Sequence, residues 1–299
     1  MKYVAAIDVG GTSIKAALVS ERFEVVASKT TSTPKDDPIG IETARAIAAI
    51  VSELSTTKLV GAVGFAVPGS LDEEHGISRW TGNLGWKDLP IRELVANEVH
   101  LPVAFGHDVR SGALAELRNG AAKGFQQSIF VPIGTGIAAA LVIDGEIRSS
   151  NGYAGEIGHM YVGHELPCVC GLSGCLETIS SAAGISREYE RRTGFQLSAE
   201  EILKRIRRDD LAWQVWEQAI TYLAVALEDL ITILAPEAIV FGGGLSKAGS
   251  ALLDPLNTIL VDRLTFQRRP ELLIAHYGAS AGTIGCAMMA FDLLSKESG

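Results

Sequence analysis

The sequence predicts an α/β protein built as two similar halves, and three observations carry that prediction. Apolar runs of strand length and segments of helical spacing follow one another along the chain. Each half opens on the same arrangement of apolar strand, Gly/Thr turn and apolar strand. In the first half these are residues 4–9, Gly10-Gly11-Thr12 and residues 14–19; in the second they are residues 129–133, Gly134-Thr135-Gly136 and residues 137–143. At 299 residues, with 47% apolar and 20% charged side chains, the chain can fill two ordinary cores and is too apolar to stay disordered.

The remaining elements follow in order. A third strand over 24–28 extends the first meander, and helical spacing covers 41–54. A strand over 59–67 stops at Pro68-Gly69, a turn dipeptide. Residues 91–99 are amphipathic, 102–105 strand-like and 112–117 helical. In the second half, the strand over 137–143 runs into Asp144-Gly145. A long helix over 211–234 ends before Pro236, which cannot continue it. A short strand, 239–241, opens onto Gly242-Gly243-Gly244; a helix over 252–264, a strand over 272–275 and a last helix over 281–294 complete the pattern. No low-complexity linker separates the halves, and the boundary is expected within 120–124. This gives an N-terminal domain, 1–120, on which the last helix (about 282–299) packs back, and a C-terminal domain, 121–281. A cleft between such halves is a natural ligand site.

The formal charge of −9 argues against a basic surface gripping nucleic acid. It does not argue against an anionic nucleotide, which local backbone amides can hold. Met1-Lys2-Tyr3 leads straight into a strand without the apolar core of an export signal, and no apolar run approaches a membrane span. The expectation is a cytoplasmic protein with no membrane partner. Three of the four cysteines crowd together, which in a reducing compartment points to metal rather than disulfides.

Three glycine turns close apolar strands: Gly10-Gly11-Thr12, Gly134-Thr135-Gly136 and Gly242-Gly243-Gly244. Glycine permits positive φ and lets a phosphate approach the N–H groups. Thr12 and Thr135 add hydroxyls, and Asp8 can hold Mg²⁺. Any one of these alone reads as an ordinary hairpin turn. None is a P-loop or a dinucleotide G-x-G-x-x-G motif. Together they point to nucleotide binding.

His159, Cys168, Cys170 and Cys175 give H-x8-C-x-C-x4-C, the ligand set of a closed tetrahedral zinc site. With every position filled by protein, such an ion braces a loop (159–177) and leaves no place for a reactive water. Cys286, in an Ala/Gly/Met-rich helix, reads as core. His107-Asp108 follows a strand and precedes a helix; Asp108 reads first as an N-cap and second as a base for a phosphoryl acceptor. Glu156 and Glu177 flank the cysteine loop, where a metal brace would fix them as acceptors for sugar hydroxyls.

Taken in order, Asp8-x-Gly-Gly-Thr12, Pro68-Gly69, Asn83-Leu84-Gly85-Trp86, Gly134-Thr135-Gly136, Ala154-Gly-Glu-Ile-Gly-His159, Cys168-x-Cys-Gly-x-x-Gly-Cys-x-Glu177 and Gly242-Gly-Gly-Leu-Ser246 resemble the ROK family of sugar kinases and repressors over nearly the whole chain. The resemblance implies an actin-like, ribonuclease-H-like ATPase fold of two domains with the active site in the interdomain cleft. It further implies ATP with Mg²⁺ as co-substrate, a structural Zn²⁺, and commonly a homodimer. By the same resemblance Asp108 is the base for a sugar 6-hydroxyl. Glu156, His159 and Glu177 hold sugar hydroxyls, and Gly69, Asn83 and His107 lie near the sugar. Gly10, Gly11, Thr12 and Lys15, with Gly134, Thr135 and Gly136, hold phosphates, while Gly243 and Gly244 border the adenosine. Two departures stand out. His107 takes the place of the family's usual asparagine, changing donor and acceptor geometry against the sugar. Ala138-Ala139-Ala140 stand where the family tends to have glycines.

The expected function is therefore transfer of the γ-phosphoryl group of ATP to the 6-hydroxyl of a hexose, glucose first. Mannose, fructose, N-acetylmannosamine and N-acetylglucosamine are rival acceptors, and polyphosphate is a rival donor. A sugar-sensing repressor of the same family would need a helix-turn-helix ahead of the first strand, which here begins by residue 3. An actin- or chaperone-like ATPase would share the phosphate turns but gives no reason for the cysteine loop or Glu156.

Overall fold

The computed structural model describes residues 2–297, so residues 298–299 of the expected last helix lie outside the described residues. The chain forms two compact units. One holds the residues up to Arg118, Ser149–Tyr153 and the chain from Ser280; the other holds Asn119–Arg148 and Ala154–Ala279.

The first unit contains β1 (Tyr3–Val9), β2 (Ser13–Ser20), β3 (Val25–Ser32), α1 (Ile41–Ser55), β4 (Val60–Val67), β5 (Ser70–Asp72), β6 (Ile77–Thr81), β7 (Trp86–Leu89), α2 (Ile91–Val99), β8 (Val103–His107) and α3 (Asp108–Asn119). Its main sheet has the order β3-β2-β1-β4-β8. The first three strands form an antiparallel meander, while β1, β4 and β8 run parallel. Strands β1 and β4 are covered on both faces, which is why they read as unbroken apolar runs. Helix α1 buries Ala44, Ile47, Ile50, Val51 and Leu54, a stripe at three- and four-residue spacing. Its start is fixed by Asp37, whose carboxylate accepts the Thr43 N–H and hydroxyl at 2.8 and 2.9 Å.

The second unit contains β9 (Ser128–Pro132), β10 (Ala140–Ile143), β11 (Glu146–Arg148), α4 (Glu177–Ser180), α5 (Ala182–Thr193), α6 (Ala199–Arg205), α7 (Asp210–Leu234), β12 (Ala238–Gly242), α8 (Ser250–Arg263) and β13 (Glu271–Ile274). Short 3₁₀ turns span Ile157–His159 and Gly244–Ala248. The sheet order β11-β10-β9-β12-β13 repeats that of the first unit, with antiparallel and then parallel neighbours. The two similar Gly/Thr turns are thus the legible part of a duplicated five-strand topology. Helix α7 is capped by Asp209, whose side chain accepts the Leu211 and Ala212 N–H groups, and it stops just before Pro236. Its buried face runs through Val215, Trp216, Ala219, Ile220, Leu223 and Leu227; each large side chain there contributes about 1.5–3 kcal/mol by leaving water.

The C-terminal helix, Ala281–Glu297, seats on the first unit's sheet. A Cβ at Gly64 of β4 would lie 1.9 Å from the Cys286 carbonyl oxygen, so glycine alone permits this approach. Cys286 is fully buried in the seam, as a core residue, and its thiol donates to the Ile7 carbonyl at 3.2 Å. Among the described residues no helix is long and apolar enough to cross a membrane.

Several elements differ from the sequence reading. The strand expected over 137–143 is shorter: Ile137 bridges Ile133, and β10 begins only at Ala140. Between them the Ala139 N–H donates to the Gly155 carbonyl at 2.7 Å, leaving the ladder for the following loop. Helix α3 starts at Asp108, four residues before the expected 112, because β8 turns directly into it. The strands of the sheet β5-β6-β7 and helices α4 and α6 are too short to be read in isolation, whereas α5, missing from the sequence reading, carries its own signals in the Ser181 N-cap and Gly194.

Candidate active site

In the first unit the expected site residues gather at the carboxyl ends of three parallel strands, where open α/β sheets place ligands. Asp8 lies near the end of β1, Pro68-Gly69 follow β4, and His107-Asp108 close β8 and open α3. The turn after β1 is held by the Gly10 N–H on the Ser13 carbonyl at 2.9 Å and by the Thr33 hydroxyl on the Gly10 carbonyl at 2.6 Å. Thr12 and Gly11 remain exposed, and Lys15 stands directly across the ladder from Asp8. Asn83, in the loop between β6 and β7, comes so close that a Cβ on Gly11 would lie 2.9 Å from its own. Gly69 packs against Trp80 and Thr81 of β6, and the Thr81 hydroxyl donates to the Pro68 carbonyl at 3.0 Å.

Asp108 has a side chain 32% exposed, and its Oδ1 accepts the Val109 N–H at 2.7 Å. Burial raises its pKa, against the lowering effect of that N–H and of Arg110. A carboxylate so shifted is a stronger base than a surface aspartate. His107 is buried, and burial first, then the Arg110 charge, pushes its pKa down to about 3, so the ring is neutral at pH 7. The Val109 N–H lies 3.2 Å from His107 Nδ1, and the same ring nitrogen lies 3.1 Å from Asp108 Oδ1.

Asp8 is raised to about 6, by burial first and by Asp108 second, with Lys15 opposing. A cation would relieve this cost, so the donor is suited to Mg²⁺. Because the folded pKa lies above the ordinary 3.8, the folded state holds a proton that the unfolded chain releases, and stability falls as pH rises from 3.8 through about 6. The shift corresponds to at most about 3 kcal/mol, and less because the side chain keeps some contact with water. Asp8→Asn should therefore melt higher than wild type above that window in nucleotide- and metal-free buffer, with the advantage vanishing below it. A difference in melting temperature that stays flat across the window would show that Asp8 is not under this strain.

In the second unit two of the glycine turns meet. The Ile133 N–H donates to the Gly242 carbonyl at 3.0 Å, and the Leu245 N–H donates to the Ile133 carbonyl at 3.0 Å. Gly243 has φ 72°, and a Cβ there would fall 2.4 Å from the Ile133 carbonyl oxygen. The Gly134–Gly136 turn closes on itself through the Gly134 N–H and Gly136 carbonyl at 3.0 Å. It is tied to α5 by the Ala182 N–H on the Gly134 carbonyl at 2.8 Å. Gly244 opens the 3₁₀ turn after β12. Glu177, the first residue of α4, places Oε2 on the Ile137 N–H at 2.9 Å, so one carboxylate oxygen braces this turn. Glu156 sits at the N-cap of the 3₁₀ turn that ends in His159.

That turn delivers His159 to the cysteines. The ligand atoms of His159, Cys168, Cys170 and Cys175 all lie within 4.8 Å of one another. Cys170 and Cys175 sulfurs are 3.6 Å apart, as are Cys168 Sγ and His159 Nδ1. A tetrahedron with Zn–S about 2.3 Å and Zn–N about 2.0–2.1 Å has edges of about 3.8 and 3.6 Å, so the donor set fits zinc. Burial, then the neighbouring thiols, push the Cys175 thiol up to about 12, and a bound cation would favour its thiolate. The Thr178 hydroxyl and His164 Nε2 hold the Cys175 carbonyl at 2.7 and 3.2 Å.

Two residues absent from the sequence reading join the first group. Glu73, in the turn between β5 and β6, accepts the His107 N–H at 2.9 Å, and its other oxygen pairs with Arg110 Nε at 3.2 Å. Nothing in Asp72-Glu73-Glu74 marks the middle residue. The folding of the β5–β6 turn, held to α2 through Arg92, brings it beside β8.

The ROK family model matches residues 4–292. A glucokinase of Halalkalibacterium halodurans is 33% identical over 95% of this chain and 93% of its own length. The crystal structure of a ROK family glucokinase from Streptomyces griseus, in complex with glucose and AMPPNP, superposes with a TM-score of 0.86 at 27% identity, covering 97% of this chain and 99% of that one. The ROK hexokinase of Thermus thermophilus gives 0.79 at 29% identity, over 99% and 100% of the two chains.

Proposed function

This chain belongs to the ROK family, and from that premise we propose that it is an ATP-dependent hexose kinase, transferring the γ-phosphoryl group to the sugar 6-hydroxyl with glucose as the favoured acceptor. The observation that carries the reading is Asp108, a carboxylate of raised pKa at the carboxyl end of a parallel strand, beside the Asp8 and Gly-Gly-Thr turn. Asp108 takes the proton of the attacking hydroxyl as the bond to phosphorus forms. The glycine turns offer N–H groups, and Thr12, Thr135 and Lys15 further donors, to the phosphates. Gly243 and Gly244 border the adenosine. Mg²⁺ would neutralise phosphate charge, with Asp8 as the residue to hold it.

Glu156, His159, Glu177, Asn83, His107 and the Gly69 turn fix the sugar. His159 turns Nδ1 toward Cys168, so Nε2 is the nitrogen left for a hydroxyl. Zinc would supply rigidity rather than chemistry, through His159, Cys168, Cys170 and Cys175. We place the enzyme in the cytoplasm, where ATP and free hexose meet, and as a homodimer, which light scattering checks. Coupled ADP release should rise with glucose and more slowly with mannose, fructose or the N-acetylhexosamines. Tight hexose binding without turnover from ATP or polyphosphate would mark a sugar sensor instead.

His107 sets the preference among these sugars. A neutral imidazole carries one donor and one acceptor nitrogen at opposite ring positions, a geometry different from the amide of the family's asparagine. His107→Asn should therefore redistribute kcat/KM among hexose epimers, by about 10-fold or more for the epimer whose hydroxyl loses its partner. An equal change on every sugar would make this imidazole a structural group.

A further inference from the structure

We propose that Glu73 is a positioning residue for the reaction, its carboxylate tying the end of β8 to α3 and so fixing where His107 and Asp108 stand. The inference rests on Asp108 being the base. Glu73 spans the junction with both oxygens: one accepts the His107 N–H at 2.9 Å, the other pairs with Arg110 Nε at 3.2 Å. Those two anchors flank Asp108 in the chain, so the carboxylate grips the residue before it and the second residue after it. Arg110 is buried, at 6% exposure, and among the described residues its ion pair is with Glu73.

The turn that carries Glu73 is itself held. The Gly76 N–H donates to the Asp72 carbonyl at 2.9 Å, and the Arg92 N–H of α2 donates to the Gly76 carbonyl at 3.2 Å. Arg92 also reaches the Glu73 carbonyl, at 3.4 Å. The anchor is thus a stapled turn rather than a free side chain. A base must sit within hydrogen-bond reach of the hydroxyl, and a misplacement of about 1 Å can cost about 100-fold in rate. Arg110 has a second effect through charge: it lowers the proton affinity of both His107 and Asp108, and Glu73 tempers it at His107. Glu73 and Arg110 touch neither the reacting atoms nor a phosphate in this reading; they act through the two residues between them.

The test strips the clamp without stranding a buried charge. Glu73→Ala and Glu73→Gln are each combined with Arg110→Met, because removing Glu73 alone would leave a buried guanidinium unpaired. With Ala, kcat should fall about 10-fold or more while KM for ATP holds and the melting curve stays cooperative. With Gln, whose amide oxygen can still accept the His107 N–H, most of the loss should be recovered. In an Asp108→Asn background the difference between Ala and Gln should vanish, since there is no base left to position. A folded Glu73→Ala/Arg110→Met enzyme with wild-type kcat overturns the inference alone, as does an Ala-to-Gln difference that persists without Asp108. Full kcat in Asp108→Asn by itself overturns the base assignment and takes this inference with it.

Discussion

Asp108→Asn should lower kcat on the best hexose by at least about 100-fold, within the ~10²–10⁴-fold that a positioned general base contributes. Phosphoryl transfer needs little covalent help, so the carboxylate's share is orientation and proton removal. Asp108 is also the first residue of α3 and accepts the Val109 N–H, so a helix-start role competes with the catalytic one. The two roles predict different losses. A lost cap costs about 0.5–2 kcal/mol of stability and leaves folded molecules active. Asparagine keeps the shape and an acceptor oxygen for Val109, yet it cannot take a proton. Relief of a partly buried charge even favours the amide, because burial already raises the Asp108 pKa. The expected result is a near-native melting temperature, intact nucleotide binding and a collapsed kcat. Steady-state phosphorylation measured beside a melting curve decides it: wild-type kcat with a lowered melting temperature would make Asp108 a structural residue.

The zinc loop should show the second large effect, on stability. Cys170 is exposed, so Cys170→Ser buries no less apolar surface and on packing grounds alone would change stability by about 0.5 kcal/mol or less. As one of four ligands it should matter far more. A ligand present at a hundred times its Kd stabilises the folded state by about 2.7 kcal/mol, and that is lost when a thiolate leaves a closed site. In a domain of this size each kcal/mol moves Tm by about 2–4 °C, so a fall of about 5–10 °C is expected. Elemental analysis should find about one zinc per wild-type chain. Surviving mutant enzyme should retain most of its kcat, because the ion supplies no open coordination position. The hexose KM should rise, since His159 and Glu177 flank the loop. Metal-free wild-type protein with unchanged Tm and hexose KM would remove zinc from the account.

Much of this was legible in the residues themselves. A glycine turn, a four-ligand cysteine–histidine loop, a buried strand and an amphipathic helix are each specified within a few neighbouring positions, by φ requirements, donor chemistry or apolar period. That is why Gly10–Thr12, Gly134–Gly136, the zinc ligands and the strands β1, β4 and β12 could be located from the sequence. Asp108 could be located, but its position alone fits both a helix start and a base, and the burial that raises its pKa is not legible in the sequence.

What only the tertiary structure decided are relations between distant segments. The sequence held two similar Gly/Thr turns, but the identical strand order of the two sheets required pairing across each unit. It held three adjacent acids at Asp72-Glu73-Glu74, but Glu73 meets Arg110 across 37 residues because the β5–β6 turn folds over the end of β8. It read residues 137–143 as one strand, yet the Ala139 N–H found its acceptor in Gly155 rather than in the ladder. The physical reason is common to all three. Local conformation is set by each residue's own dihedral and side-chain preferences, whereas the partner of a distant strand, carboxylate or N–H is set by how the strands and turns assemble, which the whole core fixes at once.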